Sequence, residues 1–200
     1  MIVDNANGGE DPPIAAVPGS NLSRVKRIVS SSHLVSEKAA ELSEVEYGLI
    51  VGWNAFGKWM VKAMATAVAD AGVMVTGGAD LAVLDILCLH SVNHRERPKK
   101  LGDICFKLNV EDSHTVNYAL KKLIKMKLVS SEKHGKEVFY STTATGVDLC
   151  LKYRAVRESC LVDCFADFDG RKGSELGEVA RQLRLLSGLY DQAARSATNL

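Results

Sequence analysis

The chain has 200 residues, of which 46% are hydrophobic and 24% charged. That is enough apolar material for a real core, which excludes a disordered chain and fits one domain or two closely joined ones. The net charge of +1 excludes nothing about nucleic acid, because it is unevenly spread: from His94 to Lys136 eleven Lys/Arg face five Asp/Glu, net +6, while the rest carries 14 against 19, net −5.

A basic stretch on a mildly acidic protein is the electrostatic footprint of a phosphate-binding surface, although a solvated face has the same composition. The N-terminus has no basic segment followed by an apolar one, so no secretory signal is expected. The most apolar run, Tyr47 to Ala71, is broken by Asn54, Lys58 and Lys62 and does not read as a membrane span. Five cysteines without a CxxC pair read as reduced thiols in a cytoplasmic protein.

Residues 1–21 carry Gly8-Gly9, Pro12-Pro13 and Pro18-Gly19 and read as a flexible tail. A weak helical pattern (Val25, Ile28, Val29) follows from Leu22 to Leu42, with a serine run at Ser30–Ser32 able to interrupt it. Ser43-Glu44-Val45-Glu46 has the form of a capping box and predicts a long helix over about residues 44–71. Gly48, Gly52 and Gly57 each cost such a helix roughly 1 kcal/mol against alanine, which close approach of another helix would offset. Gly77-Gly78 marks a loop, after which Asp80 is placed to cap a helix from Leu81 to Ser91 with Leu81, Leu84, Leu87 and Cys88 on one face.

Pro98 ends the connector His94-Arg95-Glu96-Arg97 and precedes a short helix, Lys100 to Leu108, expected to bury Leu101, Ile104, Cys105 and Leu108. Asn109-Val110 makes a corner, and Glu111 or Asp112 caps the next helix, Asp112 preferred for its short carboxylate. There Val116, Leu120, Leu123 and Ile124 form an apolar stripe. On a helical wheel His114, Tyr118, Lys121 and Lys125 point the other way, flanked by Ser113, Thr115, Asn117 and Lys122. Two runs rich in β-branched and aromatic residues, Leu128–Lys133 and Lys136–Ser141, surround His134-Gly135 and predict a hairpin. A helix from Thr143 to about Phe168, a break at Asp169–Gly173, and a last helix capped by Ser174 complete the chain. Leu176, Val179, Leu183, Leu186 and Tyr190 share one face of that last helix.

Helix, corner, basic helix and hairpin in this order make a winged helix-turn-helix. The expected fold class is mainly α: three helices plus a two-stranded β-wing, flanked by long N- and C-terminal dimerisation helices. The expected domains are 22–77 for N-terminal dimerisation, 78–142 for the winged helix-turn-helix and 143–200 for C-terminal dimerisation.

From Leu81 to about Leu151 the sequence resembles the MarR family of bacterial transcription regulators. Lys100-Leu-Gly-Asp-Ile-Cys-Phe-Lys-Leu108 is similar to its first helix-turn-helix element. Thr115-Val116 and Leu128-Val129 keep its spacing to the wing, and Ser141-Thr-Thr-Ala-Thr-Gly146 is similar to the run that leaves the wing. The family's Asp-x-Arg wing signature is replaced by Lys133-His134-Gly135-Lys136, and one extra residue stands at Glu111-Asp112. The resemblance implies a homodimer on a pseudo-palindromic operator in double-stranded DNA, with a small aromatic or phenolic effector as a further partner.

On this reading Ser113, His114, Thr115, Asn117 and Tyr118 read bases. Lys121, Lys122, Lys125, Lys133, His134 and Lys136, with Arg95 and Arg97, meet phosphates. An alternative for Tyr118 packs its ring on Lys122. Trp53, Phe56, Trp59 and Met60 form either core and dimer interface or a ligand pocket. The cysteines read as inert before redox-sensing, although Cys160 and Cys164 share a helical face. His90 and His94 are four apart but lack companions for a metal site. No cofactor is implied, and no GxGxxG, P-loop or nucleophile elbow suggests an enzyme. The competing function is a winged helix used for protein contact without specific DNA binding, or a cysteine-based redox-sensing regulator.

Overall fold

A computed structural model describes residues 31–36, 38–73, 80–164 and 173–199. The expected tail, the Val25-Ile28-Val29 pattern, the Gly77-Gly78 loop, the helix end at Phe168 and the break from Asp169 to Lys172 lie outside the described residues, as does the Ser174 side chain. Two compact units divide the chain, Met1–Gly57 and Lys58–Leu200, and the boundary falls within one helix, α1 (Ala40–Ala71).

In the first unit a 3-10 turn, Ser32–Leu34, precedes α1. The helix starts before the expected Ser43, which lies inside it and donates its hydroxyl to the Ala40 carbonyl at 2.9 Å. Ser43 is therefore not the N-cap. Leu42, Val45, Ile50, Val51, Trp53 and Phe56 are exposed on this part of α1. A Cβ added at Gly48 or Gly52 would meet nothing within 4 Å, so among the described residues none makes the close approach those glycines permit.

The second unit is built around α2 (Val83–Asn93), which buries Asp85, Ile86, Cys88, Leu89, Ser91 and Val92. The expected single stripe was too narrow. Leu81 and Cys88 are buried but Leu84 and Leu87 only partly, because α3, α4, α5 and the sheet all pack on α2. Its N-cap is Ala82 rather than Asp80, with the Asp85 carboxylate accepting from the Ala82 amide at 2.9 Å. Met60, Ala63, Met64 and Ala67 of α1 enter the same core at helical spacing.

After α2 the chain forms a two-residue strand, β1 (Lys99–Lys100), then α3 (Leu101–Leu108) and α4 (Ser113–Lys125). The wing is β2 (Val129–His134) and β3 (Glu137–Thr142), turning at Gly135 with φ +63°. The sheet thus has three strands in the order β1-β3-β2, one more than expected, with Lys99 opposite Tyr140 and Lys100 opposite Phe139. Then follow α5 (Ala144–Arg157), a π-helical turn at Glu158–Val162, and α6 (Gly173–Ala197).

Between α2 and α5 lies a partly buried cluster. The His90 ring sits 4.7 Å from the Tyr153 ring, which is itself 5.7 Å from Trp59. His90 Nδ1 is 4.0 Å from Cys150 Sγ. Burial, and then the charge of Lys107, push the His90 pKa below its ordinary value.

The join between wing and α5 is closed by Thr143. Its hydroxyl accepts from the Gly146 amide at 3.1 Å and donates to the Lys127 carbonyl at 2.6 Å. Gly146 faces the Leu128 carbonyl so closely that a Cβ would overlap backbone, and it would also lie 2.7 Å from Thr142 Cγ2. Backbone on one side cannot rotate away. Gly146→Ala is expected to lower stability by about 3 kcal/mol, measured by chemical denaturation; an unchanged midpoint would show that the wing can shift to make room.

Candidate nucleic-acid interface

The corner before α4 is set by local chemistry. Asn109 closes α3 in the left-handed conformation, φ +53°, which asparagine adopts more readily than most residues. Asp112 then caps α4, its carboxylate accepting from the His114 amide at 2.9 Å, as expected. Val116, Ala119, Leu120 and Leu123 seat the helix on the core.

The opposite face is open. Ser113, His114, Thr115, Tyr118, Lys121 and Lys125 are exposed, with Tyr118 at 75%. Thr115 already uses its hydroxyl, donating to the Asp112 carbonyl at 2.8 Å. Asn117 is half-buried at the edge of this face.

Lys122 departs from the sequence reading. Its ammonium meets the Asp85 carboxylate at 2.8 Å and donates to the Asp80 carbonyl at 3.0 Å, with the side chain 25% exposed and that of Asp85 7% exposed. It is a tie between α4 and α2, whereas Lys121 and Lys125 are exposed and make no ion pair among the described residues. Asp85 carried no signal in the sequence beyond lying on a helix expected to be half apolar.

On the wing, Lys133, His134 and Lys136 are all exposed. His134 Nε2 lies 3.3 Å from the Glu132 carboxylate, and its ring stands edge-on to Phe139 at 5.4 Å. Lys100 bridges the helix-turn-helix to the wing through Glu137 at 2.6 Å.

Arg95 and Arg97 sit elsewhere. Because Lys99 pairs with Tyr140 and Lys100 with Phe139, β1 runs towards the wing turn, and the residues before it lie at the base of the sheet. The structure therefore does not bring these two arginines to the wing tip. Two further residues escaped the sequence reading. Lys99 is buried, donating to the carbonyls of His94 (2.7 Å) and Arg97. Phe106, on the outer face of α3, is 89% exposed, a position the helical wheel could have shown by its offset from Ile104.

The four aromatic-rich positions of α1 separate. Trp53 and Phe56 are exposed, with ring centroids 6.4 Å apart. Trp59 packs edge-on against Tyr153, and Met60 is in the core. The thiols also divide. Burial pushes Cys88 up to about 12 and Cys150 up to about 11, and it raises Cys105, so these three are held as unreactive thiols. Cys160, on the π-helical turn after α5, and Cys164, just beyond that turn, are exposed. Among the described residues no group of three or more His, Cys, Asp or Glu could hold a metal ion, and no helix is long and apolar enough to cross a membrane.

Residues 81–146 match the family model described as a winged helix DNA-binding domain. Among curated proteins none matches the chain. Among solved structures, RV1404 from Mycobacterium tuberculosis is similar at 13% identity and a TM-score of 0.51, covering 74% of this chain and 94% of that one. A structure of MarR is similar at 15% identity and a TM-score of 0.51, covering 69% of this chain and 96% of that one. Residues 81–146 are thus similar to a winged helix DNA-binding domain, and the fold is that of a winged helix. The fold around that domain is of the MarR type, as the sequence resemblance implied.

Removing one partner of the Asp85–Lys122 pair leaves a buried charge without compensation. Lys122→Ala is expected to cost about 3 kcal/mol in thermal or chemical denaturation, whereas Lys121→Ala on the exposed face stays within about 0.5 kcal/mol. Equal effects would show that the pair contributes no more than a surface contact.

Proposed function

We propose that this protein is a MarR-type transcription regulator that binds a pseudo-palindromic operator as a homodimer. The observation that carries the proposal is the face of α4. A patch of short polar and aromatic side chains spanning more than one turn, Ser113, His114, Thr115 and Tyr118, lies next to Lys121 and Lys125, which make no ion pair among the described residues, on a helix well seated below. A helix of this shape fits the major groove, whose base edges present distinct donor and acceptor patterns. Ser113, His114, Thr115, Tyr118 and the edge residue Asn117 select sequence. Lys121 and Lys125, with Lys133, His134 and Lys136 of the wing, meet phosphates and set affinity and register. Lys122 takes no part in phosphate contact.

Dimerisation is supported by two exposed apolar faces that a soluble monomer rarely keeps. One is the first part of α1, with Val45, Trp53 and Phe56 beside the open Gly48 and Gly52. The other is α6, where Leu176, Val179, Leu183 and Leu189 are exposed along 25 residues. Modulation by a small effector belongs to the same reading through the family resemblance.

Each phosphate neutralised contributes about 0.9 to the slope of log affinity against log salt. Duplex affinity measured across a salt series should fall steeply for the wild type. Lys121→Ala and Lys125→Ala are each expected to flatten the slope by about one unit, and Lys122→Ala to leave it unchanged. Binding that is absent or insensitive to salt would turn the domain into a protein-contact module.

A further inference from the structure

The buried stripe of α5 continues past the end of the core. Leu149 and Tyr153 are buried and Val156 is partly so, and the next positions at helical spacing are Cys160 and Cys164. There the chain has outrun its packing, and both thiols are exposed, as are Ser159 and Asp163. Of the five cysteines only these two are exposed. Burial holds the thiols of Cys88, Cys150 and Cys105 protonated and withdrawn.

Two features make the pair more than two surface thiols. The first is spacing. Residues four apart on a helix share a face, with Cβ atoms about 5–6 Å apart. A disulfide needs about 3.5–4.5 Å, so a direct S–S bond is disfavoured while the helix stays wound. One atom placed between the two sulfurs spans the gap, because each thiol then makes its own bond to it. This separates the pair from a disulfide switch. The second feature is the turn. Glu158–Val162 is π-helical, with the Asp163 amide donating to the Glu158 carbonyl five residues back. Such turns are uncommon and often mark functional sites. This one contains Cys160 and ends two residues before Cys164.

The surroundings narrow the ligand. Arg157 is paired with Glu158 at 3.3 Å, and Asp163 adds a second carboxylate, so the patch does not invite an anion. Ser159 Oγ lies 3.6 Å from Cys160 Sγ, a weak polar contact that leaves the thiol accessible. Zinc takes four ligands, and among the described residues no group of three or more His, Cys, Asp or Glu could hold a metal ion. Two thiols suit a soft centre that carries its own third substituent.

We propose that Cys160 and Cys164 together chelate a trivalent arsenical. Two As–S bonds form and the bonds from arsenic to its exchangeable oxygen break. Both thiol protons leave with that oxygen as water, and the arsenic stays trivalent, so no oxidant or reductant is needed. The chelate staples the π-helical turn to the residues that follow it. The site is at the far end of α5, apart from the face of α4, and binding there does not depend on the DNA-binding role proposed above.

The test incubates the reduced, DNA-free full chain with an equimolar amount of phenylarsine oxide and reads the intact mass. One arsenical per chain is expected, less one water. Two linked thiols hold a shared ligand about 100-fold or more tighter than one, so the adduct should survive about a 100-fold excess of 2-mercaptoethanol. Ethanedithiol, itself a chelator, should remove it. Both positions are exposed, so Cys160→Ser and Cys164→Ser leave the core intact, and each is expected to lose the resistant adduct. Cys105→Ser should keep it. Amide hydrogen exchange over 158–164 should slow in the adduct. A wild type without a resistant adduct would overturn the proposal. So would a resistant adduct in either single variant, an arsenic bridge between two chains, or unchanged exchange over 158–164.

Discussion

Asp85 and Lys122 hold the start of α2 to the last turn of α4, and the direction in which α4 presents its open face depends on that tie. Asp85 acts twice, accepting from the Ala82 amide to start α2 and pairing with Lys122 across the helix contact. Lys122 also donates to the Asp80 carbonyl, so one ammonium holds both Asp80 and Asp85. An ion pair this shielded from water pays much of its Coulombic gain back in desolvation, and its net contribution to stability is small. Its value lies in geometry: a misplaced α4 would strand a charge in the core. The apolar stripe of Val116, Leu120 and Leu123 supplies the adhesion, and the ion pair selects the orientation.

That division of labour also sorts the basic residues. The +6 stretch from His94 to Lys136 looks uniform in sequence and serves at least three ends in the structure. Lys99 and Lys122 are internal struts, each donating to backbone carbonyls. Lys100 joins helix-turn-helix to wing through Glu137. Lys121, Lys125, Lys133 and Lys136 are exposed and make no ion pair among the described residues. Arg95 and Arg97 belong to the base of the sheet, at a distance in register from the turn at Gly135.

What was legible in the sequence was local. The Asp112 cap, the corner at Asn109-Val110 and the hairpin around Gly135 rest on interactions within a few residues, and all three are present. Longer-range features were not legible. Lys122 finds its partner 37 residues away, and no pattern in α4 distinguishes it from Lys121. The start of α1 at Ala40 lies ahead of the polar residues that suggested a cap at Ser43. Strand β1 is two residues long and reads as the first turn of α3, because only its pairing with Tyr140 and Phe139 makes it a strand. Helix α2 defeats the single-stripe expectation because its neighbours cover it on several sides. The four aromatic-rich positions of α1 fall on neighbouring turns, yet burial divides them between surface and core.

The face of α4 that this orientation exposes is the feature on which the functional reading turns. Selection of genomic DNA fragments by the purified wild type and by an Asn117→Ala variant addresses it most directly. The wild type should enrich a two-fold symmetric motif whose half-sites lie about one helical turn apart. The variant should lose preference at one base pair of each half-site while keeping its affinity for nonspecific duplex. No enriched motif from the wild type, or the same motif from both proteins, would contradict the assignment of sequence choice to this face.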